Sequence, residues 1–228
     1  MRRWWGFNPP VGRSPILPRL RSWSRFGVAK AAVFLDRDGV LNIERGYLYH
    51  VADLDLIPGV AQAVRHLNDL GVFCCLVSNQ AGPARGYYSV AHVEALHHRL
   101  IDRLDSEAGA FLDALYYCPY LSPPEGGIVP EFARWGTWRK PNTGMLVAAA
   151  WDHDLDLSRS FMVGDKATDI DLARNAGVRG ILVQTGYGEQ VLAGTYQHHA
   201  QPDYIARDLA AAVEWMIPFL ARDQNSQS

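Results

Sequence analysis

Ala31-Ala32-Val33-Phe34-Leu35-Asp36-Arg37-Asp38-Gly39 is the stretch that decides the fold. Five apolar residues run without alternation and stop abruptly at a carboxylate. A strand with one face in water would alternate apolar and polar residues, so a continuous run reads as a strand buried on both faces. The same shape recurs downstream. Val72–Val77 is continuously apolar and gives way to Ser78-Asn79-Gln80. Phe161–Val163 is shorter and ends at Gly164-Asp165.

Helical patterns separate these runs. Pro58-Gly59 opens a helix with Val60, Val64, Leu67 and Leu70 inward, and Gly71 closes it. Ser89 caps a second helix from Val90 to about Ser106, with Val93, Leu96, Leu100, Ile101 and Leu104 on one face. Phe111–Tyr117 reads as a strand and Gly144–Trp151 as a helix. Ile170–Ala176 is a short helix closed by Gly177. Val178–Val183 is a strand and Asp203–Ile205 a weaker one. Asp208–Ile217 is a helix that Pro218 should stop. Residues 118–141 are rich in Pro and Gly and form a long loop. Strand and helix patterns alternate throughout, which predicts an α/β fold: a doubly wound parallel sheet with helices on both faces. In such a sheet ligands gather beyond the C-terminal ends of the strands, where the strand order reverses.

Composition sets the bounds. At 228 residues the chain is long enough for one well-buried core. Cys74, Cys75 and Cys118 are too few for a disulfide framework, so an oxidising compartment is not indicated and a cytoplasmic protein is expected. No apolar run reaches the length that spans a bilayer, and no membrane partner is expected. Residues 1–35 hold seven basic and no acidic residues, whereas the remainder carries fifteen basic and twenty-four acidic ones. The first 28 residues also hold three tryptophans and four prolines. This basic leader lacks the apolar stretch of a secretory signal, partly fits an organelle transit peptide, and has the composition of an arm for anionic partners. Without a periodic apolar face it is expected to be loosely ordered and to carry no chemistry. The expected organisation is a leader over residues 1–28, a single domain over residues 29–221 and a frayed tail over residues 222–228.

The polar residues at the predicted strand ends are chemically matched. Asp36 and Asp38 sit two apart across the end of the first strand. One can attack covalently while the other handles a proton; a carboxylate attacking phosphorus splits one hard hydrolysis into two easier steps. Phosphoryl transfer mainly needs positioning and charge neutralisation. A hard divalent cation on oxygen ligands suits it, and Asp165 can supply a further carboxylate. Lys140 can hold a phosphate oxygen as a point charge, and Ser78 can donate a hydroxyl hydrogen bond. Each piece alone is an ordinary turn, cap or charge pair; the order in which they follow strands gives them weight.

The set Asp36/Asp38/Gly39, Ser78, Lys140 and Gly164/Asp165/Asp169 resembles the four-motif signature of the haloacid dehalogenase superfamily of phosphohydrolases. That resemblance implies a Rossmann-like fold, Asp36 as nucleophile, Asp38 as general acid/base, and Ser78 and Lys140 on the phosphoryl group. It implies Mg²⁺ on Asp36, Asp38 (through its carbonyl) and Asp165, with Asp169 in support. Phe34–Asn42, Gly46-Tyr47, Ser78–Tyr87, Tyr116–Pro119, Arg139–Pro141, Gly144–Leu146 and Met162–Lys166 look more narrowly like the D-glycero-D-manno-heptose 1,7-bisphosphate 7-phosphatases and the related histidinol-phosphatases. This implies a small phosphorylated sugar as substrate, a monomeric enzyme, and a long loop in place of a large cap. It implies Glu44, Arg45, Gly46 and Tyr47 at the entrance, with Asn79, Gln80, Arg85, Arg139 and Lys166 on the substrate. Arg139 and Lys166 are the expected anchors of a second phosphate. Histidinol phosphate is the alternative substrate. A nucleic-acid end phosphatase fits poorly with the acidic body, and an inactive ligand-binding module fits poorly with the intact motifs.

Many members of that narrower family bind zinc in the long loop through C-x-H and C-x-C. Here only Cys118 remains. Tyr120, Gly136 and Trp138 occupy the other ligand positions. Four ligands are needed, so no structural zinc is expected, and aromatic packing by Tyr120, Phe132, Trp135 and Trp138 should replace it. His153, farther along a helix, is read as a surface residue.

Overall fold

In the computed structural model, residues 29–225 are described; the leader (residues 1–28) and the last three residues of the tail lie outside the described residues. Six strands form one parallel sheet: β1 (Ala32–Leu35), β2 (Phe73–Asn79), β3 (Ala114–Cys118), β4 (Phe161–Gly164), β5 (Arg179–Val183) and β6 (Tyr204–Ala206). Their order is β3-β2-β1-β4-β5-β6. β1 lies between β2 and β4, paired with both in parallel register, so the strand order reverses at the first strand. The Asp36 side chain leaves the chain at that point.

The unbroken apolar runs are explained by two cores. Val33, Leu35, Cys74, Leu76 and Val163 face one layer, made by α1 (Val60–Asp69), α2 (Val90–Ala108) and α6 (Leu209–Asn225). Ala32, Phe34, Cys75, Val77 and Met162 face the other layer, made by α3 (Gly144–His153) and α4 (Ala167–Ala176). Alternate residues serve opposite cores, so neither face of the strand tolerates a polar side chain. A short helix, α5 (Gly188–Leu192), follows β5. Its five residues give too little periodicity to be read from sequence.

Three boundaries differ from the sequence reading by three residues or more. β3 starts at Ala114, not Phe111, because Asp113 closes a turn there: its carboxylate accepts from Cys74 N at 2.8 Å and its own amide donates to Cys74 O at 2.7 Å. α4 starts at Ala167, not Ile170; Asp169, in its first turn, accepts from Lys166 N at 3.0 Å. That capping interaction fixes the helix start among polar residues that carry no apolar period. α6 runs through Pro218 to Asn225 instead of stopping. The proline removes one helical hydrogen bond, but packing continues beyond it. Leu220 is buried, and Phe219 lies 6.1 Å from Phe161 and beneath the Arg179 guanidinium.

Candidate active site

The site is assembled from loops that leave neighbouring strands at one edge of the sheet. The Asp36 amide still donates to Val163 O at 3.0 Å, so the ladder holds the backbone of the first acid. Its Oδ1 accepts from Arg37 N at 2.7 Å, and its Oδ2 lies 2.8 Å from Lys140 Nζ. That ammonium also lies 2.7 Å from Asp169 Oδ1 and donates to Val77 O at 3.2 Å. Asn79 clamps the lysine backbone through reciprocal bonds: Lys140 N donates to Asn79 Oδ1 at 3.0 Å, and Asn79 Nδ2 donates to Lys140 O at 3.1 Å. Burial disfavours a charged Lys140, but the carboxylates of Asp169 and Asp36 outweigh it and hold the ammonium above its ordinary range.

Asp38 is gripped by the residue between the two acids. Arg37, almost wholly buried, donates to both Asp38 oxygens, at 2.9 and 2.8 Å from Nη2. Asn42 Nδ2 and Gln80 Nε2 each donate to the same carboxylate at 3.0 Å. Burial pushes Asp38 upward, yet Arg37, Lys166 and these amides together lower it to about 2. Gln80 Nε2 also donates to Ser78 Oγ at 2.9 Å, linking the ends of β1 and β2.

Asp36, Asp165 and Asp169 are buried and offer carboxylate oxygens that lie within 4.8 Å of one another. Close backbone approach makes this possible. A Cβ on Gly39 would overlap the Asp165 carboxylate, and one on Gly164 would overlap Asp169. Asp165 Oδ2 accepts from Tyr187 N at 2.9 Å, and Lys166 Nζ lies 3.3 Å from its Oδ1. Burial, with Asp36 and Asp169 adding to it against the pull of Lys166, raises Asp165 to about 7. Three buried carboxylates against two lysines leave the cluster short of positive charge. An all-oxygen donor set in that condition fits a hard divalent cation.

These groups line a cavity of about 380 Å³. Of the substrate residues expected from sequence, Glu44, Gly46, Tyr47, Asn79, Arg139 and Lys166 line it. Three others are placed elsewhere. Gln80 is buried behind Asp38 and positions it. Arg45 is 3.2 Å from Asp55 on the surface and borders a neighbouring depression. Arg85 donates to Glu125 O at 2.9 Å in the long loop. Lys166 Nζ lies 2.7 Å from Glu44 Oε2, and Arg139 Nε lies 3.8 Å from Glu125 Oε1. Sequence reasoning passed over Arg37, although it sits inside the acidic motif. It also passed over Thr168, which lies inside the Gly164–Asp169 motif, and Tyr187, Tyr196 and Gln197, which belong to no readable pattern and reach the cavity only through the fold.

The long loop is held by rings. Tyr120 is buried with the Arg134 guanidinium 4.1 Å above its face and Phe132 6.3 Å away. Gly136 lies against the same ring, and Trp138 packs 5.8 Å from Tyr116. The Cys118 thiol, buried and pushed up to about 11, points at Tyr120 O. Trp135 does not join this packing; it is 74% exposed. His153 differs from its surface reading: it is half-buried, with its ring 4.8 Å from Phe73. An i,i+4 helical pattern cannot distinguish a rim position from a solvated one.

A HAD-hydrolase-like family model matches residues 137–212. A D-glycero-D-manno-heptose-1,7-bisphosphate 7-phosphatase of Thermosynechococcus vestitus is 73% identical over 192 residues, spanning 84% of this chain and 98% of that protein. The chain belongs to the heptose bisphosphate phosphatase family of HAD-like hydrolases. A more distant family member, the D-glycero-beta-D-manno-heptose-1,7-bisphosphate 7-phosphatase of Escherichia coli K12, is 39% identical over 157 residues, covering 68% of this chain and 80% of that one. Among solved structures, the D,D-heptose 1,7-bisphosphate phosphatase of B. bronchiseptica, complexed with magnesium and phosphate, superposes with a TM-score of 0.71 at 31% identity. That match covers 82% of this chain and 98% of the other. The six-stranded parallel sheet and its helical layers are thus those of the family. No helix among the described residues is long and apolar enough to cross a membrane.

Proposed function

We propose that this chain removes the 7-phosphate of D-glycero-D-manno-heptose 1,7-bisphosphate through an aspartyl-phosphate. The observation that carries the reading is the convergence of Asp36, Asp38, Lys140 and Asp165 at the point where the strand order reverses. Asp36 attacks phosphorus, the bond to the sugar oxygen breaks, and Asp38 gives that oxygen its proton. The Arg37 fork holds Asp38 as an acceptor in the free protein; a phosphate dianion beside it raises its proton affinity. In the second step the Asp38 carboxylate takes a proton from water. That water attacks phosphorus, and inorganic phosphate leaves Asp36. Ser78 donates to a phosphoryl oxygen, and Lys140 cancels charge at Asp36. Mg²⁺, which Asp36, the Asp38 carbonyl and Asp165 would hold with Asp169 behind them, supplies further positive charge to the phosphoryl group.

Arg139 and Lys166 take the second phosphate, and Glu44, Gly46 and Tyr47 border the entrance. The catalytic unit is a single domain over residues 29–221, with the long loop in place of a large cap and no zinc in it. It acts as a cytoplasmic monomer on a small phosphorylated sugar. Turnover across a panel of phosphorylated sugars and histidinol phosphate, with Mg²⁺ present, tests the assignment. The heptose bisphosphate should give the highest kcat/KM; a higher value for histidinol phosphate would overturn it.

Cation binding should depend on pH in a stated direction. Asp165 holds a proton to about 7 in the cation-free protein, well above an ordinary aspartate at about 3.9. Below that value the proton competes with the cation, and affinity should fall about tenfold per pH unit. The folded state also holds this proton more tightly than the unfolded chain does. Stability of the chelator-treated protein should therefore fall as pH rises from about 4 to about 7. Mg²⁺ should restore it at the upper end. Mg²⁺ titrations, and melting curves with EDTA and with Mg²⁺, across that range check both points; a metal analysis should separately find no tightly bound zinc.

A further inference from the structure

The cavity has a wall that phosphoryl chemistry does not use. Tyr187 and Tyr196 stack face to face, with centroids 4.1 Å apart and planes 9° from parallel, and both line the cavity with Thr168 and Gln197. Tyr187 is fixed from the catalytic side. Its amide donates to Asp165 Oδ2 at 2.9 Å, and Thr185 Oγ1, two residues earlier, donates to Gly39 O at 2.6 Å. Lys166 Nζ lies 5.0 Å from the Tyr187 ring centroid.

Tyr196 is fixed from the other side. The amides of Thr195 and Tyr196 both donate to Gln190 O, at 2.9 and 3.3 Å. Tyr196 and Ala200 pack on the small cluster of Ala167, Ile170, Leu182 and Val191. His198 Nε2 lies 2.5 Å from Asp171 Oδ2 on α4. Gln197, between these anchors, has a φ of 58°, which a non-glycine residue rarely adopts. The loop thus presents one ring and one amide toward the cavity from an exposed, otherwise polar segment.

We propose that the Tyr187–Tyr196 stack, with Gln197 and Thr168, is the specificity wall that receives the polyol body of the substrate. This rests on the sugar-phosphatase reading above. An uncharged aromatic face at the rim adds nothing to phosphate binding, since Asp36, Ser78 and Lys140 are at the buried end. It matches the C–H face of a sugar ring, and an amide and a hydroxyl beside it match sugar hydroxyls. Contacts made to a remote part of the substrate, equal in ground and transition states, appear in KM.

The test compares the heptose bisphosphate with acetyl phosphate, which has no polyol, in the full chain with Mg²⁺. Tyr196→Ala should raise KM for the sugar bisphosphate by about tenfold, about 1.4 kcal/mol of lost binding, with kcat nearly kept. The ratio of kcat/KM for the sugar over acetyl phosphate should fall by the same factor. Tyr196→Phe should restore that ratio, and Gln197→Ala should lower it by a few-fold. An unchanged ratio in Tyr196→Ala, with or without an equal loss on both substrates, overturns the proposal while the wild-type protein still hydrolyses the sugar. A wild-type protein that turns over acetyl phosphate but no sugar phosphate overturns the functional reading and this wall with it.

Discussion

Asp36→Asn should lower kcat by about 10⁴-fold or more and leave the fold in place. An amide has no free carboxylate to attack phosphorus, so the covalent step is lost and only binding and charge stabilisation remain. The change is nearly isosteric, and the contacts around it survive. The side-chain oxygen can still accept from Arg37 N, and Lys140 keeps Asp169 and Val77 O as partners. The melting transition should therefore stay cooperative and Mg²⁺-sensitive. Single-turnover assays with the sugar bisphosphate should show no phosphate bound to the protein. A variant keeping more than about a tenth of wild-type turnover would place the nucleophile elsewhere, because loss of an attacking group costs far more than that. The companion substitution Asp38→Asn should behave differently toward good leaving groups. Acetyl phosphate needs little help from an acid, so its loss should be smaller than that of the sugar ester.

The acids at the ends of β1 and β4 were legible in the sequence because each follows an unbroken apolar run, and a run ending in a carboxylate marks both a strand and its exit. Asp169 was legible as a motif member, but its place in the first turn of α4 was not; the helix starts among polar residues, where only the cap to Lys166 N sets the boundary. Arg37 sat in plain view between two aspartates, yet nothing in a sequence distinguishes a solvated arginine from one buried against its neighbour. Pro218 gave a wrong helix end because a local rule was weighed without the apolar packing beyond it. Tyr196 and Gln197 lie in a segment with no period, and only the packing of the chain after β5 and α5 brings them to the cavity. The chemistry of this site is thus written at strand ends, where sequence pattern is strong. Its selectivity is written in loops, where pattern is weakest.

Lys140→Met should lower stability by about 3–5 kcal/mol at neutral pH in chelator, because it strips the counter-charge from a buried pair and leaves its partners unpaired. The ammonium is 2% exposed and serves Asp36 and Asp169 together. Methionine fills much of the volume, so the loss reports charge more than cavity. For a chain of this size, that loss corresponds to a fall in Tm of roughly 10 °C. Its pH dependence has a fixed sign. Burial already raises the proton affinity of folded Asp169 above its ordinary range against the pull of Lys140, and losing the ammonium raises it further. The deficit should then be small below about pH 4, where both states bind the proton, and grow as pH rises toward about 7. Mg²⁺ should recover part of the lost stability by supplying positive charge to the same carboxylates, without recovering turnover, because the ammonium at Asp36 is still missing. Lys140→Arg should not rescue activity: the guanidinium is larger than the enclosed site and cannot place one nitrogen on both acids and Val77 O. A Tm unchanged in EDTA at pH 7 would show that Asp169 does not depend on this lysine for its charge.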